Sequence, residues 1–235
     1  MVFTHTEIIV AARGWSHPRW NEGFYPDDLP EDWRLSYYSN EFRAVVVPAS
    51  QWITVDPIEL ERWVEDAHEE FRFFLEVETL SSDWNGLSQR AGLFRQQLSG
   101  ILLRPMALDN DLSLIADDLD AATALAPTAL LLPDKTQPTA AGLGLLLKRG
   151  VELCWEPKAG REKPHWRGDQ GLATVRITGE MNYTPRQWRE TIETVLRYAG
   201  NHRTVLVMVD KAAPDVEEMR TAVMIGDLLT APPVD

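Results

Sequence analysis

The sequence predicts a single α/β domain with the closed (β/α)8 architecture, also called a TIM barrel, and three observations indicate it. Short runs of β-branched or leucine residues alternate with longer segments of helical period, which is typical of βα units on a parallel sheet. Eight such runs occur in 235 residues, close to the ~250 residues usual for this barrel. No Gly/Ser/Pro-rich linker or internal repeat divides the chain, so residues 1–235 are predicted to form one domain.

The predicted strands are the runs richest in Val, Ile, Leu and Ala. In chain order they are residues 8–12, 44–47, 71–77, 100–104, 128–132, 151–155, 173–178 and 204–209. Their spacing stays near one βα unit throughout, except at residues 156–171. That polar stretch has no helical period and is predicted to be a longer loop at the barrel mouth, in the position of a lid.

The segments between strands carry helix start signals, in which a capping oxygen precedes a proline that needs no N–H partner. The predicted starts are Asp56-Pro57, Thr184-Pro185 and Thr136 with Pro138. Gly150 follows two basic residues, where a helix end requires a left-handed conformation. Each predicted helix carries an apolar stripe that would cover one face of the sheet.

Composition and charge exclude several classes of protein. With 44% hydrophobic and 25% charged residues, the chain matches globular usage rather than disorder, collagen or coiled coil. A net charge of −13 repels phosphate backbones and anionic headgroups, so neither nucleic acid nor membrane is expected as a partner. Cys154 is the single cysteine, which excludes an intramolecular disulfide and suits a cytoplasmic location. The amino terminus lacks the features of a signal peptide, and no run approaches the ~18 apolar residues of a membrane span.

The first quarter of the chain contains a run of specific motifs. They are the heptapeptide at residues 14–20 (GWSHPRW), the FYP triplet at 24–26, Leu29-Pro30, Tyr37-Tyr38 and Phe42. This pattern resembles the opening of the YecE-like family, a domain of unknown function with a TIM-barrel fold. Weaker similarity follows at residues 71–73, at 175–179 and at Ala222-Val223.

The departures from the family pattern fall on its polar strand-end positions. Where the family has G-T-S, this chain has Ala11-Ala12-Arg13, and its E-x-N-S-T-F-Y segment reads VVPASQW at residues 46–52. The family's third-strand lysine corresponds to Glu76, and the histidine of its R-x-H-G segment to Thr178. Its E-x-R-H segment aligns with residues 130–133, and the asparagine of its last helix with Ile225. The resemblance therefore implies a divergent member in which any family active site is lost or rebuilt, and Arg176 is the polar barrel residue clearly retained.

Candidate functional residues lie at the carboxyl ends of the strands, where TIM-barrel sites are found. Strand parity turns Arg176 into the barrel together with Glu76 and Glu152, because Val175 and Ile177 would pack against helices. The candidates for catalysis are Glu76, Glu152, Arg176 and His17, with His165 as a further titrating group. The candidates for ligand contact are Arg13, Trp15, Trp52, Arg104, Asp134, Trp155, Trp166 and Asp210.

Two interpretations of the inward charges remain open at this point. A buried guanidinium requires a carboxylate, so Arg176 with Glu76 or Glu152 could be a structural ion pair that fills the barrel. Alternatively, one arginine facing two carboxylates would leave one of them with a raised pKa, able to act as a general acid. Tryptophans near the mouth could stack on a planar ligand or could instead fix long loops to the barrel. Trp155 and Trp166 are the preferred ligand candidates, whereas the wedge role is preferred for Trp15 and Trp20.

No metal or cofactor is predicted. The five histidines show no H-x-x-x-H or H-E-x-x-H spacing, and no Walker loop, G-x-G-x-x-G or G-x-S-x-G motif occurs. Two functions therefore compete. One is a catalytically degenerate barrel that binds a small planar or anionic ligand, or a protein partner, at its carboxyl-terminal face. The other is a small-molecule hydrolase, lyase or isomerase that uses carboxylate acid–base chemistry with an arginine partner.

Overall fold

The predicted parallel strands all form. The structure, a computed structural model, describes residues 6–79, 83–133, 136–157, 163–166, 171–200, 202 and 204–231. The strands in these ranges are β1 (Glu7–Arg13), β2 (Ala44–Val47), β3 (Arg72–Thr79), β4 (Leu98–Pro105), β5 (Thr128–Leu130), β6 (Val151–Leu153), β7 (Ala173–Ile177) and β8 (Thr204–Val209). Each overlaps its predicted run, which confirms the interpretation of these apolar segments as strands.

The strands form one sheet in the order β6-β5-β4-β3-β2-β1-β8-β7, and every neighbouring pair is parallel. The two end strands meet through an isolated bridge between Trp155, just after β6, and Val175 of β7. The Trp155 N–H donates to the Thr174 carbonyl at 2.9 Å, and the Arg176 N–H donates to the Trp155 carbonyl at 2.8 Å. This β6–β7 seam nearly closes the sheet, and the predicted (β/α)8 barrel is confirmed.

Helices pack around the outside of this barrel. They are α1 (Arg34–Glu41), α2 (Ala49–Trp52), α3 (Pro57–Asp66), α4 (Trp84–Gly92), α5 (Ala116–Leu125), α6 (Ala140–Arg149), α7 (Pro185–Tyr198) and α8 (Val216–Thr230). Short 3-10 turns lie at Pro18–Glu22, Glu31–Trp33, Arg95–Gln97 and Ser113–Ile115. Within the described residues, no helix is long and apolar enough to span a membrane.

Two of the predicted helix starts are confirmed, and one is wrong. The Asp56 side chain accepts from the Ile58 N–H at 2.8 Å, and Thr184 forms a reciprocal capping box with Gln187. The start predicted at Thr136 with Pro138 lies too early, because Thr139 is the residue that caps α6 by accepting from the Gly142 N–H. The residues before Thr139 lie outside the helix. The Thr139 N–H donates to the Asn110 carbonyl at 2.9 Å and so holds this residue at the start of α6.

The end of α6 agrees with the sequence. Gly150 has φ +65°, the left-handed conformation expected after the basic residues that end the helix.

The barrel wall separates two apolar cores, as the alternation of side chains along a strand requires. The outer core lies between strands and helices and includes Val175 and Ile177, which confirms the predicted parity of β7. The inner core fills the barrel with small and large side chains, among them Ala11, Ala44, Phe74, Leu102 and Met208. The interior is therefore packed, and polar chemistry is confined mainly to the ends of the barrel.

The inner core depends on close backbone approach at one point. Gly100, on β4, has no side chain where a Cβ would lie 2.7 Å from Leu172, 2.9 Å from Phe74 and 3.1 Å from the Pro127 carbonyl oxygen. Any side chain at this position would displace those neighbours.

Candidate functional site

A charge network covers the inner core at the carboxyl end of the barrel. Three arginines and three carboxylates form it, in the spatial order Arg104, Glu76, Arg13, Asp210, Arg176 and Glu156. We call these six residues the mouth network. They come from the carboxyl ends of strands β4, β3, β1 and β7 or from the residues just after β8 and β6, so the barrel topology brings them together.

Arg13 and Glu76 form the most deeply buried contact of the mouth network. Arg13 Nε donates to Glu76 Oε1 at 2.8 Å and Nη2 donates to Oε2 at 2.7 Å, a bidentate pair. The Glu76 side chain has no exposed surface. This hydrogen bond raises the pKa of Arg13 above its ordinary value, against the opposing effect of burial.

Arg176 is held by carboxylates from both neighbouring strands. Its Nε donates to Asp210 Oδ2 at 2.7 Å, its Nη1 donates to Glu156 Oε1 at 2.8 Å, and its Nη2 lies 2.6 Å from Asp210 Oδ2. Burial lowers the pKa of Arg176, but the charges and hydrogen bonds of Asp210 and Glu156 more than offset burial and leave the pKa raised. Arg13 and Arg176 are thus fully charged cations within the network.

The predicted partners of Arg176 are wrong. Glu76 lies on β3, across the barrel, while the neighbours of β7 are β8 and β6, and these supply Asp210 and Glu156. The alternative in which one arginine faces both Glu76 and Glu152 does not describe Glu76, because Arg13 occupies both of its oxygens. A carboxylate held in this way already has its charge balanced.

Glu152 faces the barrel interior, as parity predicts, but well below the mouth network. It is buried, and its Oε1 lies 3.3 Å from Nε2 of the buried His202. His202 precedes β8 and so lies toward the amino end of the barrel, opposite to the predicted mouth. Glu152 therefore does not join Arg176 in one site.

Arg104 is the most accessible cation of the mouth network. Its side chain is 38% exposed, its nearest carboxylate oxygen is Glu76 Oε1 at 3.9 Å, and it donates no hydrogen bond to any described residue. It lines a cavity of 340 Å³ together with Pro105, Leu131–Pro133, Arg176 and Thr178. This mouth cavity has guanidinium groups on its surface and the carboxylates behind them.

His17 lies in the loop after β1, beside the mouth network. Burial lowers its pKa, and the Arg13 charge acts in the same direction, while backbone hydrogen-bonding groups of Gly14, Arg13 and Ala212 partly oppose them. Its Nε2 is buried without a hydrogen-bond partner among the described residues. The ring also lies 4.4 Å from that of Trp20, so His17 is a neutral, loop-packing imidazole at neutral pH.

The tryptophans predicted near the mouth are mostly structural. Trp52 is completely buried, and its Nε1 donates to the Glu76 carbonyl at 2.7 Å. Trp15 packs edge-on against Trp63, with ring centroids 4.8 Å apart, and Trp20 Nε1 donates to the Pro214 carbonyl at 2.7 Å. These contacts favour the role preferred for Trp15 and Trp20, which is to fix loops to the barrel.

Trp155 and Trp166 flank the β6–β7 seam. Trp155 points to the outer core, opposite in parity to the inward Glu152, and is largely buried. Trp166 donates from Nε1 to the Leu153 carbonyl at 3.0 Å. Asp134 and most of the predicted lid, residues 158–162 and 167–170, lie outside the described residues.

A second cavity adjoins the first. It has a volume of 450 Å³, and we call it the side cavity; its walls include Leu132, Leu143, Leu153, Cys154, Trp155, Lys163 and His165. Trp155 therefore does reach a cavity, but this cavity lies beside α6 rather than over the barrel axis.

A buried ion pair close to the mouth was missed by sequence reasoning. Lys211 Nζ lies 2.8 and 2.7 Å from the two carboxylate oxygens of Glu218, and both side chains are only 2% exposed. Lys211 also donates to the Met181 carbonyl at 2.9 Å, and Glu218 accepts from the Tyr183 N–H at 2.7 Å. The pair therefore anchors the loop after β7, and Glu218 carries no motif that would have marked it.

Over the part of the chain that the structure describes, no group of three or more His, Cys, Asp or Glu side chains is arranged to hold a metal ion.

A family profile described as "Protein of unknown function DUF72" matches residues 9–130, slightly more than half of the chain. The chain belongs to the DUF72 family. The YecE-like resemblance of its opening motifs is thereby confirmed. No curated protein matches the sequence.

Solved structures similar to this DUF72 protein include two of the same family. One, from Thermotoga maritima, has a TM-score of 0.72 and 15% identity over 95% of this chain and 99% of that one. Another, from Enterococcus faecalis, has a TM-score of 0.65 and 14% identity over 97% and 100%. The D-psicose 3-epimerase of Clostridium cellulolyticum is similar at a TM-score of 0.56 and 10% identity, over 96% and 98%. At these identities the likeness shows the fold.

Proposed function

We propose that this DUF72 protein is a catalytically degenerate barrel that binds a small anionic ligand at the carboxyl-terminal face. The observation that carries the proposal is Arg104, a partly exposed guanidinium that lines the mouth cavity without donating a hydrogen bond to any described residue. An arginine offers five N–H donors in a planar fork suited to carboxylate and phosphate. A carboxylate or phosphate ligand would supply the hydrogen-bond acceptors that no described residue provides for Arg104.

Arg176 supplies the second cation of the proposed site. It lines the same cavity and is held in place by Asp210 and Glu156. Such a fixed guanidinium loses little conformational entropy when it receives a ligand oxygen, and this preorganisation favours binding. The overall charge of −13 repels anions at a distance, so only the local field of the arginines favours a negative ligand here.

Thr178 extends the same cavity with a hydroxyl, while Leu131, Leu132 and two prolines supply apolar wall. Cavities that bind small molecules combine apolar lining with a few placed polar groups, and here polar and apolar groups line the cavity in about equal measure. A volume of 340 Å³ is at the lower end of the range for ligand sites, which favours a small ligand or one part of a larger ligand.

The alternative, an acid–base enzyme, has less support from the geometry. A proton carrier must reach the substrate, and the two carboxylates proposed for this role are shut away. Glu76 lies under two arginines with no exposed surface, and Glu152 is buried toward the opposite end of the barrel. His17 remains the titrating group nearest to the mouth, and its pKa is lowered.

The test is a comparison of two matched arginine variants. Purified protein is titrated with phosphate, sulfate and acetate in a thermal-unfolding assay and by calorimetry, in wild type, Arg104→Gln and Arg189→Gln. Arg189 is an exposed arginine of α7 that pairs with Glu193 and does not line the mouth cavity.

We expect at least one anion to raise the unfolding temperature of wild type and of Arg189→Gln but not of Arg104→Gln. At a ligand concentration of 100 Kd the gain is ~2.7 kcal/mol of unfolding free energy. If every anion acts equally on Arg104→Gln and wild type, or on neither, the proposed site does not exist.

A further inference from the structure

We infer that the ligand is an organic acid with a flat apolar group, its anionic end on Arg104 and Arg176 and its apolar group in the side cavity. This inference rests on the proposed function, because the same two arginines receive the anionic end. It adds the chemical class of the ligand, which the mouth cavity alone does not define.

The first support is that the two cavities share a wall. Leu132, two residues after the end of β5, lines both the mouth cavity and the side cavity. A ligand that passes this side chain therefore meets arginines on one side and the side cavity on the other. The two volumes, 340 and 450 Å³, each suit one part of such a ligand.

The second support is the chemistry of the side cavity. Leu132, Leu143, Leu153 and Pro138 give it aliphatic walls, and the indole of Trp155 gives it a flat aromatic one. A planar hydrocarbon group gains both from leaving water and from offset or edge-on packing against the indole. No carboxylate lines this cavity among the described residues, so nothing there repels the anion that the group carries.

The third support is the sign of the charged groups around the side cavity. Lys163, an exposed cation, and His165, an exposed imidazole, line this cavity. No carboxylate lines either cavity among the described residues, so the charged groups that the ligand would meet directly, Arg104, Arg176 and Lys163, are all cations, and a cavity lined by one sign of charge raises the local concentration of the opposite ion. An acidic ligand is favoured over a neutral or basic one of the same shape.

The experiment uses three probes that separate the two parts of the ligand. Acetate carries the anionic end alone, 3-phenylpropanol carries the flat group alone, and 3-phenylpropionate carries both. Calorimetry at one fixed ionic strength measures each dissociation constant. We expect 3-phenylpropionate to bind at least about tenfold more tightly than either of the others, because burial of one phenyl group contributes about that factor or more.

A matched pair of variants then locates the flat group. Leu143→Trp fills the side cavity from α6, and Leu147→Trp places the same side chain one turn later, on an exposed position outside that cavity. We expect Leu143→Trp to weaken 3-phenylpropionate to the level of acetate, with acetate itself unchanged, and Leu147→Trp to bind all three probes like wild type. Should Leu143→Trp fail to fold, Trp155→Leu removes the flat wall instead and is expected to weaken 3-phenylpropionate alone.

The outcomes separate this inference from the proposed function. Acetate binding that depends on Arg104, with no gain for 3-phenylpropionate, would overturn the inference and leave the anion site standing. A gain that survives both Leu143→Trp and Trp155→Leu would also overturn it, because the flat group would lie elsewhere. Loss of all binding dependence on Arg104 would overturn the proposed function itself.

Discussion

Arg13 and Glu76 face each other with two parallel N–H···O contacts of 2.8 and 2.7 Å, directly above the apolar filling of the barrel. Glu76 has no exposed surface, so its charge is balanced by protein groups and not by water. Such a pair need not add net stability compared with an apolar pair, but removal of one partner leaves a buried charge uncompensated. That asymmetry makes the contact easy to test.

Arg13→Met is expected to lower the free energy of unfolding by about 3 to 5 kcal/mol, because Glu76 would lose its bidentate partner while remaining buried. Urea unfolding at neutral pH measures the loss. The double variant Arg13→Met/Glu76→Leu removes both charges and is expected to recover much of it. An Arg13→Met protein as stable as wild type would show that Glu76 is reached by water.

Lys211→Met is also expected to lower the free energy of unfolding by about 3 to 5 kcal/mol, because Glu218 is only 2% exposed and would be left as an unpaired buried carboxylate. Arg189→Gln is the control, because it breaks an exposed ion pair of α7, and exposed ion pairs are screened by water and contribute little to stability. Both are measured by thermal and urea unfolding. Equal costs for the two variants would contradict the buried character of the Lys211–Glu218 pair.

The stability of the protein should depend on pH through His17. Its pKa is lowered in the folded state, mainly by burial, so the unfolded chain binds more protons between the folded pKa and the ordinary value of 6.5. The contribution of His17 to the free energy of unfolding is therefore fully present above pH 6.5. It is lost as the pH falls from 6.5 through the pKa of His17 in the folded state. His17→Gln is expected to flatten the unfolding free energy between pH 7.5 and pH 5.5.

The control for this pH dependence is His68→Gln, which changes an exposed histidine. It should leave the wild-type slope in place. If the slope of unfolding free energy against pH persisted in His17→Gln but disappeared in His68→Gln, the pH dependence would come from His68 and not from His17.

Gly100→Ala is expected to destabilise the barrel by about 1 to 3 kcal/mol, because the added methyl would meet Leu172, Phe74 and the Pro127 carbonyl oxygen at 3.1 Å or less. Gly144→Ala is the matched comparison: it lies within α6 with nothing within 4 Å of the added atom. In a helix interior that change is expected to stabilise by about 0.5 to 1 kcal/mol. Thermal unfolding of the two variants should therefore shift in opposite directions.

The sequence predicted the barrel and its strands well because the physical signal there is local. A run such as residues 204–209 is apolar enough to be a buried strand whatever its neighbours are. Parity along β7 correctly turned Arg176 inward, because the alternation of side chains is a property of each strand alone. The caps at Asp56 and Thr184 were also local and were also right.

The arrangement of the site could not be predicted in the same way, because it depends on which strands are neighbours and at what height each residue lies. Arg176 pairs with Asp210 and Glu156 because β8 and β6 flank β7, whereas parity gave only Glu76 and Glu152 as inward carboxylates. Trp155 was predicted to lie near the mouth, but the alternation that points Glu152 inward points Trp155 outward, to the helix side, where it lines the side cavity.

The β6–β7 seam has a consequence for hydrogen exchange. The other neighbouring strands of the described sheet share ladders of two or more residue pairs, while this junction depends on one bridge and the amides of Trp155 and Arg176. These two amide protons should exchange with solvent through local opening, well before those of β1 and β8. The Arg176 side chain also holds Glu156, the residue after Trp155. An anion that immobilises Arg176 would therefore slow hydrogen exchange at the amides of both Trp155 and Arg176. Binding would then be detectable at these two amides while exchange in the rest of the sheet stays unchanged.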